Sequence, residues 1–168
     1  QTPQTITPET NSFNLVQGGL FGDEPLDTPD ALISIEEIKT DFETVIVDTP
    51  QKLVQAIKDL SAYDTLAFDT ETSNLDPVSA DLVGFSLAAS PEKGYYFPVG
   101  HRAGKQLSLD ELKNAVQPLL SNPKIAKVAH HAKFDLIVLR QSGFEINPIR
   151  FDTMIAEWLI NPDSRNLG

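Results

Sequence analysis

The sequence predicts an α/β protein in which helices pack against a mixed β-sheet. Short apolar, β-branched runs alternate along the chain with longer segments whose apolar residues recur at helical spacing. Their order is strand, helix, three strands, helix, strand, helix, helix, which is typical of a sheet flanked by helices. A chain of 168 residues is long enough for one domain with its own core.

The first predicted strand and helix lie within residues 44–60. TVIVDTP is a short β-branched strand that ends at Pro50. Thr49 can cap a helix that begins at Pro50, because a proline at the first helical position needs no N–H donor. The apolar residues that follow share one helical stripe: Leu53, Ala56, Ile57 and Leu60.

Three more strands are predicted over LAFDTET, LVGFSLAAS and GYYFPVG, and the turn PEKG between the last two is typical of a hairpin. Ser108 and Glu111 form a capping box at the start of the helix SLDELKNAVQPLL. IAKVA is a short strand, HAKFDLIVLRQ is a helix that stops at Gly143, and DTMIAEWLI is a last helix that ends at Pro162. Four aromatic residues are expected in the core: Tyr95, Phe97, Phe151 and Trp158.

The front of the chain differs in composition from the rest. Residues 1–50 hold ten acids and one base, whereas residues 51–168 hold fourteen acids and twelve bases. A segment this polar and acidic buries too little apolar surface to offset its ordering entropy. We expect a disordered acidic linker at 1–44 and a folded domain at 45–168, although SIEEIK could form a short helix and Leu20 and Phe21 could dock on a neighbour.

Cysteine usage and hydropathy favour a cytoplasmic protein. The chain has no cysteine, which excludes disulfides and thiolate metal sites and fits a reducing compartment. No apolar run approaches membrane-spanning length, and QTPQTITPETNSF lacks the basic start and apolar stretch of a signal peptide. We therefore expect no association with membranes.

Two carboxylates stand at the end of an apolar strand in LAFDTET. Because side chains alternate along a strand, Asp69 and Glu71 share one face while Leu66, Phe68 and Thr70 share the other. Like charges held this close repel each other, and a divalent cation is the usual remedy. An Asp-x-Glu at a strand end, taken alone, is more often a turn or a cap.

A second candidate site lies in AHHAKFD. On a helix, His131 and Asp135 would be one turn apart with Phe134 beside them, so an imidazole, a ring and a carboxylate could face one cavity. LIVL follows Asp135, and a lone acid is expensive to bury there. The ion held by Asp69 and Glu71 would supply its partner. His130 and His131 could instead be ordinary surface histidines, and His101 is expected in a surface loop.

Three carboxylates without cysteine or paired histidines suit Mg²⁺ or Mn²⁺. Two such ions can activate a water molecule and stabilise the leaving oxygen of a phosphodiester. The residues therefore point to in-line phosphoryl hydrolysis.

The motifs DTET, LVGFSLA, GYYFPVGH, AHHAKFD and FDTMIAEWLINPDSRNLG together resemble the 3′ to 5′ proofreading exonuclease domain of bacterial family A DNA polymerases. The resemblance runs from about Val45 to Gly168 and implies an RNase H-like fold of the DEDD exonuclease type. The acidic front segment is similar to the connector that follows the 5′ nuclease domain in this family. The implied partners are a single-stranded or frayed DNA 3′ end and, in the same monomeric chain, 5′ nuclease and polymerase domains.

The resemblance also implies roles for individual residues. Asp69 and Glu71 would hold one metal ion, Asp69 would bridge to a second, and Asp135 would hold that second ion. Five residues would contact the nucleic acid: Leu75 as a wedge against the terminal base, His130, His131, Phe134 and, near the backbone, Arg165. Stacking and wedging suit a proofreader, which must accept any unpaired base.

Two departures from the family pattern stand out. His131 occupies a position where the family usually has asparagine, and a histidine there would change charge with pH. The third motif, a tyrosine four residues before a last metal-binding aspartate, should lie beyond Gly168. We therefore expect a C-terminally truncated fragment that is nearly inactive alone.

The predicted activity of the complete protein is metal-dependent proofreading in DNA replication and repair, in the bacterial cytoplasm near the nucleoid. Two alternatives stay open: a vestigial domain that only positions DNA, and an RNA-trimming exonuclease similar to RNase D.

Overall fold

The computed structural model describes residues 42–162. The predictions made for the acidic front segment, for SIEEIK, for Leu20 and Phe21 and for Arg165 fall outside these residues. The division into a linker and a folded domain at residue 44 therefore stays a prediction.

Ten elements follow one another in the described part. They are β1 (Glu43–Ile46), α1 (Pro50–Leu60), β2 (Thr65–Thr72), β3 (Leu82–Ser90), β4 (Lys93–Pro98), α2 (Leu109–Leu120), β5 (Ala126–Ala129), α3 (Ala132–Gln141), β6 (Ile149–Asp152) and α4 (Thr153–Ile160). The caps form as predicted: the Thr49 hydroxyl accepts from the amide of Lys52, and Ser108 and Glu111 make the capping box.

The prediction missed one strand, β6. This strand is only four residues long and pairs with the partner strand β5 at the edge of the sheet. Its pairing is non-local, and the sequence IRFD shows no burial alternation that would mark a strand.

The six strands form one mixed sheet in the order β1-β4-β3-β2-β5-β6. β3 runs antiparallel to both of its neighbours, and all other neighbouring pairs are parallel. As a result β1, β2, β4, β5 and β6 point in one direction, and their carboxyl ends lie at one edge of the sheet.

The core is one connected cluster of buried apolar residues. Leu66 and Phe68 of β2 belong to it, together with the inner faces of α1, α2 and α3. Tyr95 and Phe97 are buried as predicted, and Phe85 stacks on Phe97 with ring centroids 5.1 Å apart. Ala67, Asp69 and Glu71 are exposed, so this face of β2 is open in the described part.

The aromatic residues near the end of the chain do not follow the prediction. Phe151 and Trp158 are each 52% exposed rather than buried, and α4 has no buried residue. Helical spacing shows which residues share a face, but it cannot show that another element covers that face. Of the described helices, none is long and apolar enough to cross a membrane.

Lys127 is a fully buried cation in β5. Its Nζ donates hydrogen bonds to the carbonyl oxygens of Asn122 (2.9 Å), Ile125 (2.8 Å) and Asn147 (2.8 Å). Burial lowers the pKa of Lys127 to about 8, which still leaves it mostly charged at neutral pH. The side chain thus joins the turn before β5 to the segment before β6.

Replacement of Lys127 by Met should destabilise the fold. Three carbonyl oxygens would lose their charged donor, and we expect the free energy of unfolding to fall by about 3 kcal/mol in urea titrations at pH 7. Lys124→Met, at an exposed neighbouring position, is the control and should change it by less than about 0.5 kcal/mol. Equal stability of Lys127→Met and the parent would show that the three bonds contribute nothing.

Candidate functional site

The predicted site residues lie at the edge where the parallel strands end. Asp69 and Glu71 stand at the end of β2, His130 and His131 follow β5, and Asp135 lies in the first turn of α3. In open α/β sheets, ligands commonly bind at the carboxyl ends of the strands. The fold therefore brings the two sequence motifs to one edge.

Asp69 and Glu71 point to the open face of β2, as the alternation predicts. Across the sheet, Asp69 pairs with Ser86 and Glu71 pairs with Gly84 of β3. A β-bulge between Glu71 and Thr72 interrupts the pairing just after the second acid. Both carboxylates are exposed and available to a ligand.

Asp135 is buried, with 3% of its surface exposed. Its Oδ1 accepts a hydrogen bond from the backbone amide of Thr70 at 3.1 Å and another from the Thr70 hydroxyl. Thr70 lies between the two exposed acids on the opposite face of β2, so these bonds hold the buried carboxylate directly behind Asp69 and Glu71. The sequence analysis did not assign a role to Thr70, although alternation in DTET already turns it towards the helix layer.

Electrostatics at Asp135 oppose its ionisation. Burial raises the pKa of Asp135, the hydrogen bonds from Thr70 lower it in part, and the charge of Asp69 raises it further. Within residues 42–162, no lysine or arginine forms an ion pair with Asp69, Glu71 or Asp135. The three acids thus form a negatively charged group without a protein cation to balance it.

His131 is placed differently from the prediction. It is not a helical residue but the N-cap of α3, in the left-handed conformation with φ 59°. The helical spacing of His131 and Asp135 therefore does not apply, because the helix begins one residue later at Ala132. The ring of His131 still approaches the partly buried Phe134, with centroids 6.3 Å apart.

Asp152, which the sequence analysis passed over, accounts for this backbone conformation. Its carboxylate accepts hydrogen bonds from the amides of His131 (3.1 Å) and Ala132 (2.8 Å) and from Met154 and Ile155 at the start of α4. Burial alone would raise the pKa of Asp152, but the four backbone amides outweigh it and lower the pKa. One carboxylate thus caps two helices; the pattern Asp-Thr before an apolar run signals only the cap of α4.

The remaining predicted contacts lie around this edge. His130 Nδ1 is 2.8 Å from the hydroxyl of Thr153, so this ring lies beside the start of α4. Leu75 is 93% exposed in the connection between β2 and β3. Ser73 and Asp81 close this connection, where the amide of Ser73 donates to the carbonyl of Asp81 at 3.0 Å.

A phenol and an imidazole, which the sequence analysis did not select, lie on the other side of Glu71. The hydroxyl of Tyr96 is 2.6 Å from Nε2 of His101. Burial raises the pKa of Tyr96, and the charge of Glu71 raises it further. A Cβ on Gly84 would lie only 2.2 Å from the Tyr96 hydroxyl, so a glycine opposite Glu71 allows this approach. His101 is exposed in a loop, as expected.

The donor set fits a hard divalent cation in its chemistry. Its members are carboxylate oxygens, two of them exposed on one face and without a protein cation. However, no three His, Asp or Glu side chains in the described range converge closely enough to enclose an ion by themselves. Water or a further ligand would have to complete the coordination.

Comparison with known proteins shows a specific similarity. The family model for the 3′-5′ exonuclease matches residues 44–168. The chain is 41% identical over 111 residues to a DNA polymerase I of Chloroflexus aurantiacus and 35% identical over 161 residues to one of Synechocystis. These matches cover 66% and 92% of this chain but only 12% and 16% of the two relatives.

Among solved structures, NrnC of Brucella melitensis with bound Mg²⁺ has a similar fold, with a TM-score of 0.53 and 24% identity. The match covers 76% of this chain and 56% of NrnC. It confirms the predicted RNase H-like α/β fold, and it carries no statement about substrate.

Replacement of Asp135 by Asn should stabilise the fold. The amide oxygen can still accept from Thr70, while the charge that burial disfavours is removed; we expect the free energy of unfolding at pH 7 to rise by about 1 kcal/mol. The folded-state pKa of Asp135 lies above the unfolded value near 3.9. The cost of the charge therefore appears only as pH rises through the folded-state pKa, and the gain should shrink as pH falls towards about 4.

Thermal and urea unfolding at several pH values measure this effect. Asp64→Asn is the control, because Asp64 is exposed and immediately precedes β2, at the end of the strand away from the site. A lower stability of Asp135→Asn at pH 7 would contradict the expectation and would make this carboxylate a structural residue.

Proposed function

The chain belongs to the 3′-5′ exonuclease family of nucleases, and from that premise we propose that it removes nucleotides from a mispaired DNA 3′ end as the proofreading part of a bacterial DNA polymerase I. The observation that carries this proposal is the arrangement at the end of β2. Two exposed carboxylates share one face, and a third, buried carboxylate is held to the residue between them.

Asp69, Glu71 and Asp135 would hold two divalent cations, Mg²⁺ or Mn²⁺. When bound, these ions supply an activated water and charge stabilisation for hydrolysis of the phosphodiester. Asp69 and Glu71 are free to bind because no described residue neutralises them. Asp135 keeps Oδ2 available, since both hydrogen bonds from Thr70 go to Oδ1.

The terminal nucleotide would be held by side chains around this group. Leu75 is exposed enough to wedge against an unpaired base, and Phe134 offers a ring beside Asp135. His130 and His131 would donate to the terminal nucleotide, and Arg165 would contact the backbone. His131 stands at the start of α3, so its ring can face a strand that ends at Asp69.

The chain spans less than a fifth of the length of the two relatives named above. We propose that it acts within a longer monomeric polymerase that also has 5′ nuclease and polymerase domains and works on cytoplasmic, nucleoid-associated DNA in replication and repair. Residues 1–44 would be the acidic connector that precedes the exonuclease domain at 45–168.

Loss of Asp69 should abolish hydrolysis in the longer polymerase. Asp69→Ala removes one of the two exposed ligands, and we expect the rate of 3′ to 5′ degradation of 5′-labelled single-stranded DNA in Mg²⁺ to fall by about a hundredfold or more. Polymerase activity should be unchanged. Asp64→Asn, at the other end of β2, should keep the parent rate.

The same assay separates the alternatives. Degradation at the parent rate by Asp69→Ala would overturn the proposal, and a parent that binds DNA but never degrades it would support a vestigial positioning domain. A parent that degrades oligoribonucleotides and spares DNA would instead show an RNase D-like activity. We expect faster removal from a mispaired 3′ end than from a paired one.

A further inference from the structure

A basic loop follows β4 at the same edge of the sheet. Residues 100–106 have the sequence GHRAGKQ, in which Arg102 and Lys105 are exposed and no acid is present. Neither side chain forms an ion pair with a described residue. The charge of Lys105 reaches Asp48, whose pKa it helps to lower, but the stronger partner of Asp48 is Lys52. Both cations are therefore available to a ligand.

Hydrogen bonds hold the loop in one shape. The side-chain amide of Gln106 accepts from the backbone N–H of His101 at 2.9 Å and donates to the carbonyl of the same residue at 3.0 Å. Gly104 has φ +94°, a conformation that favours glycine. The next residue, Leu107, is buried and its amide donates to Pro98 at 3.3 Å. A loop closed in this way loses little entropy when it binds.

The loop is also attached to the carboxylate group. Its first side chain, His101, bonds the hydroxyl of Tyr96, and the two rings meet edge to face with centroids 5.7 Å apart. The Tyr96 hydroxyl lies over Gly84, the cross-strand partner of Glu71. Arg102 and Lys105 are thus presented from a support that contacts the neighbour of a proposed metal ligand.

The spacing suits a nucleic-acid strand. β3 lies between β4 and β2, so the loop begins about 10 Å from the strand that carries Asp69 and Glu71. Stacked nucleotides rise about 3.4 Å each along one strand, so about three nucleotides span this distance. The acids repel phosphates, and cations at this distance offset the repulsion for the part of the strand upstream of the 3′ end.

We propose that the loop at residues 100–106 is a phosphate-binding element, in which Arg102 and Lys105 contact the backbone of the DNA strand about three nucleotides upstream of its 3′ end. This inference rests on the proposed function, because it takes the 3′ end to lie at Asp69 and Glu71. The contact reads no base, so it accepts any sequence, as a proofreader requires.

The test is the salt dependence of DNA binding by the 168-residue chain. Fluorescence anisotropy would follow an eight-residue oligothymidylate in Mg²⁺ from low to moderate KCl, with a gel to check that the oligonucleotide stays intact. Each lost phosphate contact on a single strand lowers the slope of log K against log salt by about 0.7. For Arg102→Ala/Lys105→Ala we expect a slope smaller by about 1.4 and affinity about tenfold weaker at low salt.

Two controls keep the test specific. Lys124→Ala/Arg140→Ala removes the same charge from the opposite edge, since Lys124 precedes β5 and Arg140 lies in the last turn of α3. That variant should keep nearly the parent slope. A two-residue oligothymidylate is too short to reach the loop, so its affinity, measured by competition, should be equal for the parent and the loop variant.

The outcomes separate the two proposals. A parent that binds the oligonucleotide while the loop variant keeps its slope and affinity would overturn the loop contact and leave the proposed function intact. Equal losses in the loop variant and the opposite-edge variant would also overturn it, because the effect would then come from net charge. A folded parent with no measurable affinity for single-stranded DNA would count against the proposed function itself.

Discussion

The hydrogen bonds between Thr70 and Asp135 are the constraint on which the site depends. They join α3 to β2 at the residue between the two exposed acids, so they fix the third carboxylate relative to the first two. A buried acid near another acid is unfavourable, and burial and Asp69 both raise the pKa of Asp135. A fold without use for this charge would be more stable with a neutral residue there, which is why the arrangement indicates function rather than packing.

Asp152 supplies the second constraint, because it decides where α3 begins. Four backbone amides from two helix starts converge on this one carboxylate, and bonds of this kind to a charged acceptor are stronger than neutral ones. They hold His131 in the left-handed conformation and so set the first turn of α3, which contains Phe134 and Asp135. The edge strand β6 therefore matters to the site although its own side chains are largely exposed.

Local patterns in the sequence carried most of the fold and the two acidic motifs. Alternation in LAFDTET placed Asp69 and Glu71 on one face, and the capping signals at Thr49 and Ser108 located two helix starts. What failed depends on distant partners. β6 exists through its pairing with β5, and the exposure of Phe151 and Trp158 depends on which element covers α4. The double cap by Asp152 joins residues about twenty positions apart, which no local pattern reveals.

Titration of the chain with Mn²⁺ by calorimetry tests the central claim, that Asp69, Glu71 and Asp135 form a metal site, most directly. The account predicts binding by the parent and by Asp64→Asn, and loss of that binding in Asp69→Ala and in Asp135→Asn, both of which should remain folded. Mn²⁺ binding by Asp69→Ala with the parent affinity, or no binding by any folded variant including the parent, would contradict it and would leave the three acids without a metal-binding role.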